Sequence, residues 1–461
     1  MKTIKSITRT PSDLSSTRVL NKENKMKSSK VLLFALSITV LLAILLSACR
    51  ETAPAVSTGE PVTEGTTAGE MVTIKVMTFF TIDTPEIEKA VVASFEADHP
   101  NIKIELEMLP FSDYFTKLKT VIAGGKAPDV VAMNFENLQQ FAALGALAEL
   151  DPFIEADGYD MSQYYDTTVG MHQYQGKQFG LPATFSTVPL FINKTLFDEA
   201  GVSYPDGTWT WDQLIDAGKK LTKDQDGDGI VDVYGYAQAW WPMYIFLNNA
   251  SFFTADGKCG LTTPAAVEAL QKMADLTLVE NISPTRADLA TQSDWDMFIA
   301  GKLAMFPVGP WAIGPYQENI TDFEWDIAEH PAMAQKATFL FGNAYAVTSA
   351  SQNKEAAWEF LKFATGIPGG TIRQLGGYEV SPVKFVAESQ FLSRLEGKPP
   401  ANAHLFLDIT SYAYTPPAHP RWNEMYNFIW PELELALLGQ QTVQKSLEAA
   451  CPQVDQILAE E

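Results

Sequence analysis

The sequence predicts an α/β fold, a largely parallel sheet flanked by helices. Strand, helix and strand patterns alternate from residue 71 onward, and the short apolar run that closes the first series reads as a buried strand. The composition is that of a packed globular protein: of 461 residues, 46% are hydrophobic and 19% charged, which argues against general disorder. The length is a prior for two or three domains.

Each element of that series has its own signal. VTIKVMTFF, residues 72–80, is β-rich; Ile87, Ala90, Val91, Ser94 and Phe95 then recur at helical spacing, and IKIELEML, residues 102–109, alternates with period two. Phe115, Leu118 and Ile122 mark a second helix, closed by Gly124 and Gly125, and PDVVAMN, residues 128–134, is a short apolar strand. In such a sheet ligands lie beyond the carboxyl ends of the strands. Those ends are residues 79–83 and 134–137, so Phe80, Asp83, Asn134, Glu136 and Asn137 become candidate ligand-binding residues.

The first seventy residues are of another kind. Residues 31–48, VLLFALSITVLLAILLSA, form an uncharged apolar run preceded by Lys25, Lys27 and Lys30. A membrane-spanning anchor is one reading, since about 20 residues cross a bilayer. The favoured one is an export signal over residues 1–48, with Met26 as an alternative start, because Leu46-Ser47-Ala48-Cys49 resembles the lipobox of bacterial lipoproteins. The resemblance implies cleavage before Cys49, lipid on that cysteine and anchoring on the extracytoplasmic face of a membrane. Residues 49–70 carry no aromatic side chain and are rich in Thr, Ala, Gly, Glu and Pro. They read as a flexible tether with an end-to-end distance of roughly 25 Å.

Charge narrows the partners. Lys and Arg number 33 against 56 Asp and Glu, a formal net charge of -23, so nucleic acid is excluded as an expected partner. Catalysis finds little support: there are five histidines and no HExxH, GxSxG or P-loop pattern. The expectation is that the protein is not an enzyme, although the two carboxylates of a glycoside hydrolase need carry no local motif.

From about Thr73 to the C-terminus a set of segments, FEADHPNIKIE, AGGKAPDVV, YQGKQFGLPATFSTVPLFINKTLFDEAG, TWTWDQLIDAGKKLT, AMFPVGPW and NKEAAWEFLKFAT, resembles, in order, the extracytoplasmic solute-binding proteins of ABC importers, in the cluster of maltose- and other sugar-binding proteins. The resemblance implies the two-lobed, type II periplasmic-binding-protein fold, each lobe a mainly parallel sheet flanked by helices. One lobe would take residues 71–181 and about 339–375, the other about 182–338 and 376–461, with crossings near Pro182, Thr338 and Gly377. Gly376 and Gly377 suit either a hinge or an ordinary helix C-cap. A monomer is expected, which would hand a sugar to the permease subunits of an ABC transporter. Other small solutes, a polyamine, a peptide or a ferric ion, are the alternative ligands; a ferric site would call for clustered tyrosines, for which Tyr164 and Tyr165 are thin support.

A sugar site needs flat aromatic platforms and several hydrogen-bonding side chains. The resemblance puts Trp311, in AMFPVGPW, in the cleft, and also Trp240, Trp241 and Trp422, although core packing is the default for any single tryptophan. Trp358 reads as core. Polar partners would be Thr184 and Ser186 after the first crossing and Asn343 and Tyr345 after the second, beside Asn134, Glu136 and Asn137; amides and carboxylates each engage hydroxyls at two points. Helix capping is the competing role for Asn134.

Two features stand apart from the cleft. In KDQDGDGIVDVYG, Asp224, Asp226, Asp228, Ile230 and Asp232 fall at positions 1, 3, 5, 7 and 9 of a calcium loop, but position 12 is Gly235 where the loop needs glutamate. A structural calcium and a plain acidic turn are equal readings; no other cofactor is required. Cys259 and Cys451 both fall in the second lobe, where two buried free thiols are expected over a bridge, because sequence does not place them within bonding distance.

Overall fold

The computed structural model describes residues 71–80 and 84–460. The apolar run at residues 31–48, Cys49, the tether and Asp83 lie outside the described residues. No helix among the described residues is long and apolar enough to cross a membrane.

Eleven strands are described: β1 (Val72–Thr78), β2 (Ile102–Met108), β3 (Val130–Asn134), the short hairpin β4 (Gln173–Tyr174) and β5 (Lys177–Gln178), β6 (Leu181–Thr187), β7 (Leu190–Asn193), β8 (Met305–Pro307), β9 (Trp325–Ala328), β10 (Thr338–Val347) and β11 (Ala413–Tyr414). The larger sheet runs β11-β10-β3-β1-β2, with β6 also on β10. β1 pairs in parallel with β2 and β3, whereas β10 is antiparallel to both β3 and β6. The second sheet, β8-β7-β9, is antiparallel throughout, while the isolated bridges of Tyr234 to Leu303 and of Thr210 to Ala332 are parallel.

The α/β class holds, and in the larger sheet three pairings are parallel and two antiparallel; the expectation of a mainly parallel sheet is corrected for the second sheet, which is antiparallel. Periodicity reports which face of a strand is buried, not which way its partner runs. β10 returns to the first sheet after more than a hundred residues spent elsewhere, and only that route sets its direction.

The residues packed between the larger sheet and its helices form one core, with Val91 and Phe95 from helix Glu86–Asp98, Leu118 from helix Phe111–Ala123, and Trp358 and Phe360 from helix Lys354–Thr365. Into this core the fold sets an ion pair. Arg373, 1% exposed, donates through Nε to Glu88 Oε1 at 2.5 Å and through Nη2 to Oε2 at 3.0 Å, and Tyr345 OH donates to Glu88 at 3.2 Å. With the Ala364 carbonyl accepting from Nη1 as well, the guanidinium is paired on all sides, which a buried charge requires.

A second core surrounds Trp241 and Trp422 and extends to the C-terminal helix Val443–Ala459. Here the thiol expectation is overturned: Cys259 and Cys451 form a disulfide, their Cα atoms 5.5 Å apart. The loop before helix Pro264–Leu278 is docked on the C-terminal helix, Cys259 N donating to Asp455 Oδ1 at 2.7 Å. A contact across 192 residues of sequence leaves no local signal. Gly377, in the left-handed region at φ 92°, caps helix Ile367–Gly376, its N–H donating to the Arg373 and Gln374 carbonyls.

Candidate ligand-binding cleft

Three strands bring three polar residues level with one another. Asn343 on β10 is the register partner of Asn134 on β3 and of Thr184 on β6, and the β6 pairing shifts by one residue just beyond it. Such a bulge re-aims side chains at the edge of a site. Asn343 Nδ2 donates to Thr184 Oγ1 at 2.9 Å and to Glu379 Oε2 at 3.2 Å. Asn134 Nδ2 donates to Glu136 Oε2 at 3.1 Å, while its Oδ1 accepts from Asn137 N at 3.1 Å and so caps helix Phe135–Ala143. The capping role and a place in the cleft are both realised.

Over this polar row opens a cleft of about 480 Å³ that Asn134, Glu136, Asn343 and Glu379 line together with aromatic rings. Trp240, Trp311 and Phe341 form one wall, Phe341 lying 6.0 Å from Trp311 and 6.1 Å from Trp240 between ring centres. Phe79 and Phe111, edge to face at 5.1 Å, contribute from the other side. Trp311 sits on a single 3-10 turn, Pro310–Ala312. The residue before that turn is Gly309, and a Cβ there would collide with the Trp311 ring; glycine lets the indole fold back over the backbone.

The electrostatics of the cleft are unusual. Burial pushes the Glu379 carboxyl up to about 7, against the opposing effect of the Thr184, Asn343 and Ser186 side chains, and burial likewise pushes Glu136 up to about 7 against its bond from Asn134.

Four of the expected ligand residues are core side chains instead. Phe80 is fully buried and packs on Tyr345 at 4.9 Å. Its neighbour Phe79 lines the cleft, because successive residues at the end of a strand face opposite ways. Tyr345 is also fully buried, since beyond Asn343 the same face of β10 is covered by helix Glu86–Asp98, where its hydroxyl meets Glu88. Trp241 and Trp422, 0% and 2% exposed, stack on each other at 6.3 Å inside the second core. Ser186 is buried beside the Glu379 carboxyl. Asn137 is occupied twice: its Nδ2 donates to Asn134 Oδ1, and its Oδ1 accepts from Asn423 of helix Trp422–Leu437 at 3.1 Å.

Sequence reasoning missed Glu379, Tyr378, Phe111 and Phe341, which line the cleft, as do Phe79 and Phe135, which fall within the expected strand ends 79–83 and 134–137 but were not singled out. Two had a usable signal: Phe341 stands two residues from Asn343 on the same strand, and Glu379 follows closely on the glycine pair at Gly376 and Gly377.

The acidic loop lies elsewhere. Asp224, Asp226 and Asp232 each bring a carboxylate oxygen within 4.8 Å of the others. Asp228 does not join them; its Oδ1 accepts from Ile230 N at 2.7 Å, and the Ile230 side chain is exposed. Asp224 accepts from Gly227 N and Gly229 N, so the turn is also held by its own backbone. Gly235, at position 12, lies against the backbone of Gly218, and a side chain there would clash with it; the missing glutamate is excluded sterically. The three carboxylates are a hard oxygen donor set that fits calcium, three ligands short of its usual minimum of about six.

A model of the bacterial extracellular solute-binding protein family matches residues 81–370. An arabinooligosaccharide-binding protein of Bacillus subtilis is 27% identical over 290 residues, which cover 60% of this chain and 66% of that protein. A maltotriose-binding protein of Pyrococcus abyssi is 25% identical over 364 residues, 74% of this chain and 72% of its own. Among solved structures, an ABC substrate-binding protein from Listeria monocytogenes in complex with cycloalternan is 31% identical, with a TM-score of 0.79 over 85% of this chain and 100% of that one.

Proposed function

The chain belongs to the bacterial extracellular solute-binding proteins, and from that premise we propose that it captures a sugar or short oligosaccharide in the cleft and delivers it to the permease of an ABC transporter. The observation that carries the reading is the cleft's lining, aromatic walls over two amides and two carboxyls, with the buried Thr184 hydroxyl supporting Asn343 from behind. A pyranose presents apolar C–H faces ringed by hydroxyls, so Trp311 and Trp240 take a face while Asn343, Asn134, Glu136 and Glu379 take hydroxyls. The ligands named for the relatives, an arabinooligosaccharide, maltotriose and cycloalternan, point the same way. Burying such a ligand is favourable only where every polar group it covers is paired again, which a row of two-point donors and acceptors allows.

A thermal-shift screen of mono- and oligosaccharides tests this, because a ligand that binds only the native state raises stability by mass action. A melting temperature raised by at least one carbohydrate supports the reading; a shift with a peptide, a polyamine or ferric ion alone contradicts it.

Delivery to a permease calls for a protein held outside the cell membrane. Cys49 carries the lipid and residues 49–70 the tether in this reading. Metabolic labelling with a palmitate analogue should mark the wild type and not Cys49→Ser. Asp224, Asp226 and Asp232 would hold a calcium ion, with the remaining ligands from backbone carbonyls and water, as a staple remote from the cleft.

A further inference from the structure

The hydrogen-bonding groups of the cleft are unevenly spent. Asn343 Nδ2 uses both protons, on Thr184 and Glu379, and Asn134 Nδ2 turns toward Glu136. On the aromatic wall Trp240 Nε1 donates to Tyr426 OH at 3.4 Å. These donors are thus committed, two of them to the carboxyls of Glu136 and Glu379, which accept only and keep further lone pairs for a ligand. Such a site asks its ligand for donors.

No lysine, arginine or histidine lines the cleft among the described residues. Of the nearby guanidiniums, Arg394 packs against Gly377 and over the Phe391 ring without lining the cleft, and two others are engaged elsewhere. Arg373 is buried against Glu88 behind Phe80 and Tyr345. Arg286 lies over the Trp430 ring at 5.0 Å, in a separate pocket on the far side of Trp240. Above about pH 7, where both are ionised, an anionic group brought into the cleft beside Glu136 and Glu379 would find two negative charges, low-dielectric aromatic walls and no cation in the lining. Buried like charges without a partner are what a discriminating site uses against a wrong ligand.

We infer that Glu136 and Glu379 make the cleft a filter on ligand charge, admitting glycans that are neutral or carry an amine and refusing those with a carboxylate or phosphate on the bound unit. The inference rests on the carbohydrate reading above and adds the chemical class of the ligand. Each carboxylate accepts from a pair of adjacent hydroxyls or from an ammonium; neither can be satisfied by another acceptor. That both carboxyls already ionise with difficulty in the empty cleft is consistent with this, since a third charge would meet the same unfavourable surroundings.

The test is calorimetry at pH 8 on the full-length chain purified in detergent, with three probes of one skeleton: maltotriose, its analogue oxidised to a carboxylate at the terminal C6, and its 6-amino-6-deoxy analogue. The same titrations are run on Glu136→Gln, Glu379→Gln and the double variant, with circular dichroism to follow the fold. The expected result is that wild type binds the amine analogue at least as tightly as maltotriose and the carboxylate analogue on the order of 100-fold more weakly, as like-charge juxtaposition in a buried site requires. The gap should narrow in each single variant and most in the double one. Wild type binding the carboxylate analogue as well as maltotriose overturns the filter while leaving the carbohydrate reading intact, and so does a gap that persists in folded Gln variants. A wild type that binds none of the three, and no carbohydrate in the thermal-shift screen, overturns both.

Discussion

Glu379 shows what a single side chain carries in this fold. It is 7% exposed, and its carboxyl is pushed from the usual 4.5 up to about 7 by burial. The folded state therefore holds the proton more tightly than the unfolded state. Its contribution to stability is fullest below 4.5 and is lost as pH rises to about 7. A tenfold change in proton affinity between the two states is worth about 1.4 kcal/mol, so the whole effect is on the order of 3 kcal/mol. Glu379→Gln should flatten this part of the profile, gaining stability relative to wild type between pH 5 and pH 8. Urea denaturation at the two pH values checks it; an unchanged difference would show that the carboxyl ionises freely. Its place after the glycine pair was a signal for the cleft, but its burial was not legible from the sequence, because an acidic residue two positions after a helix cap looks like any surface loop until β6 and β10 are laid beside it. Asn134, Glu136 and Asn343 were legible, as residues at strand ends or on a returning strand. Phe80 and Phe79 differ by one position, and period-two alternation alone does not say which of two final residues of a strand turns toward solvent.

Elements were legible to the extent that they are local. The strand, helix and strand of residues 72–108 lie where alternation and helical spacing put them, and the third strand ends at Asn134 as read. What failed was pairing over distance: the direction of β7, β8 and β9, and the union of Cys259 with Cys451. The disulfide ties the loop before helix Pro264–Leu278 to the C-terminal helix across 192 residues. Removing a bridge that closes so long a loop costs about 2–5 kcal/mol. Cys259→Ser/Cys451→Ser should lower the denaturation midpoint accordingly, and a midpoint within error of wild type would show that docking of Asp455 on Cys259 N suffices without it. The acidic loop is a case where spacing was read correctly but three-dimensional packing decides the chemistry. Gly235 is required by the approach to Gly218, so calcium would have to bind to an incomplete set at about 10⁻⁴ to 10⁻³ M. Millimolar calcium should then raise the melting temperature and leave ligand affinity unchanged; no shift on adding or chelating the ion makes the segment a plain acidic turn.

At the scale of the whole molecule, binding and architecture meet in β6 and β10. These antiparallel strands carry Thr184 and Asn343 in the larger sheet, and β6 leads within three residues into β7 of the second sheet. The polar side of the cleft is thus built on the segments that join the two sheets, Asn343 lining it and Thr184 behind. The Asn137–Asn423 bond links the helix after β3 to helix Trp422–Leu437 beside the same cleft. This organisation follows from the order of segments along the chain and not from any single motif, which is why the family-like series of segments predicted the fold class while the individual tryptophans divided between wall and core. Trp311 and Trp240 line the cleft, whereas Trp241 and Trp422, equally aromatic and close by in sequence or space, are sealed inside.

The central claim is that carbohydrate binds in this cleft with Trp311 as a platform. Calorimetry with the carbohydrate that gives the largest thermal shift, on wild type and Trp311→Ala, tests it most directly. Aromatic stacking of a flat ligand contributes about 1–3 kcal/mol when measured by alanine substitution, taking nucleic-acid bases as the analogue. At 1.4 kcal/mol per tenfold, the expected result is one site per chain in wild type and a roughly ten- to hundredfold weaker affinity in a variant whose circular dichroism is unchanged. Equal affinity in the two proteins would contradict the account and move the ligand away from this wall.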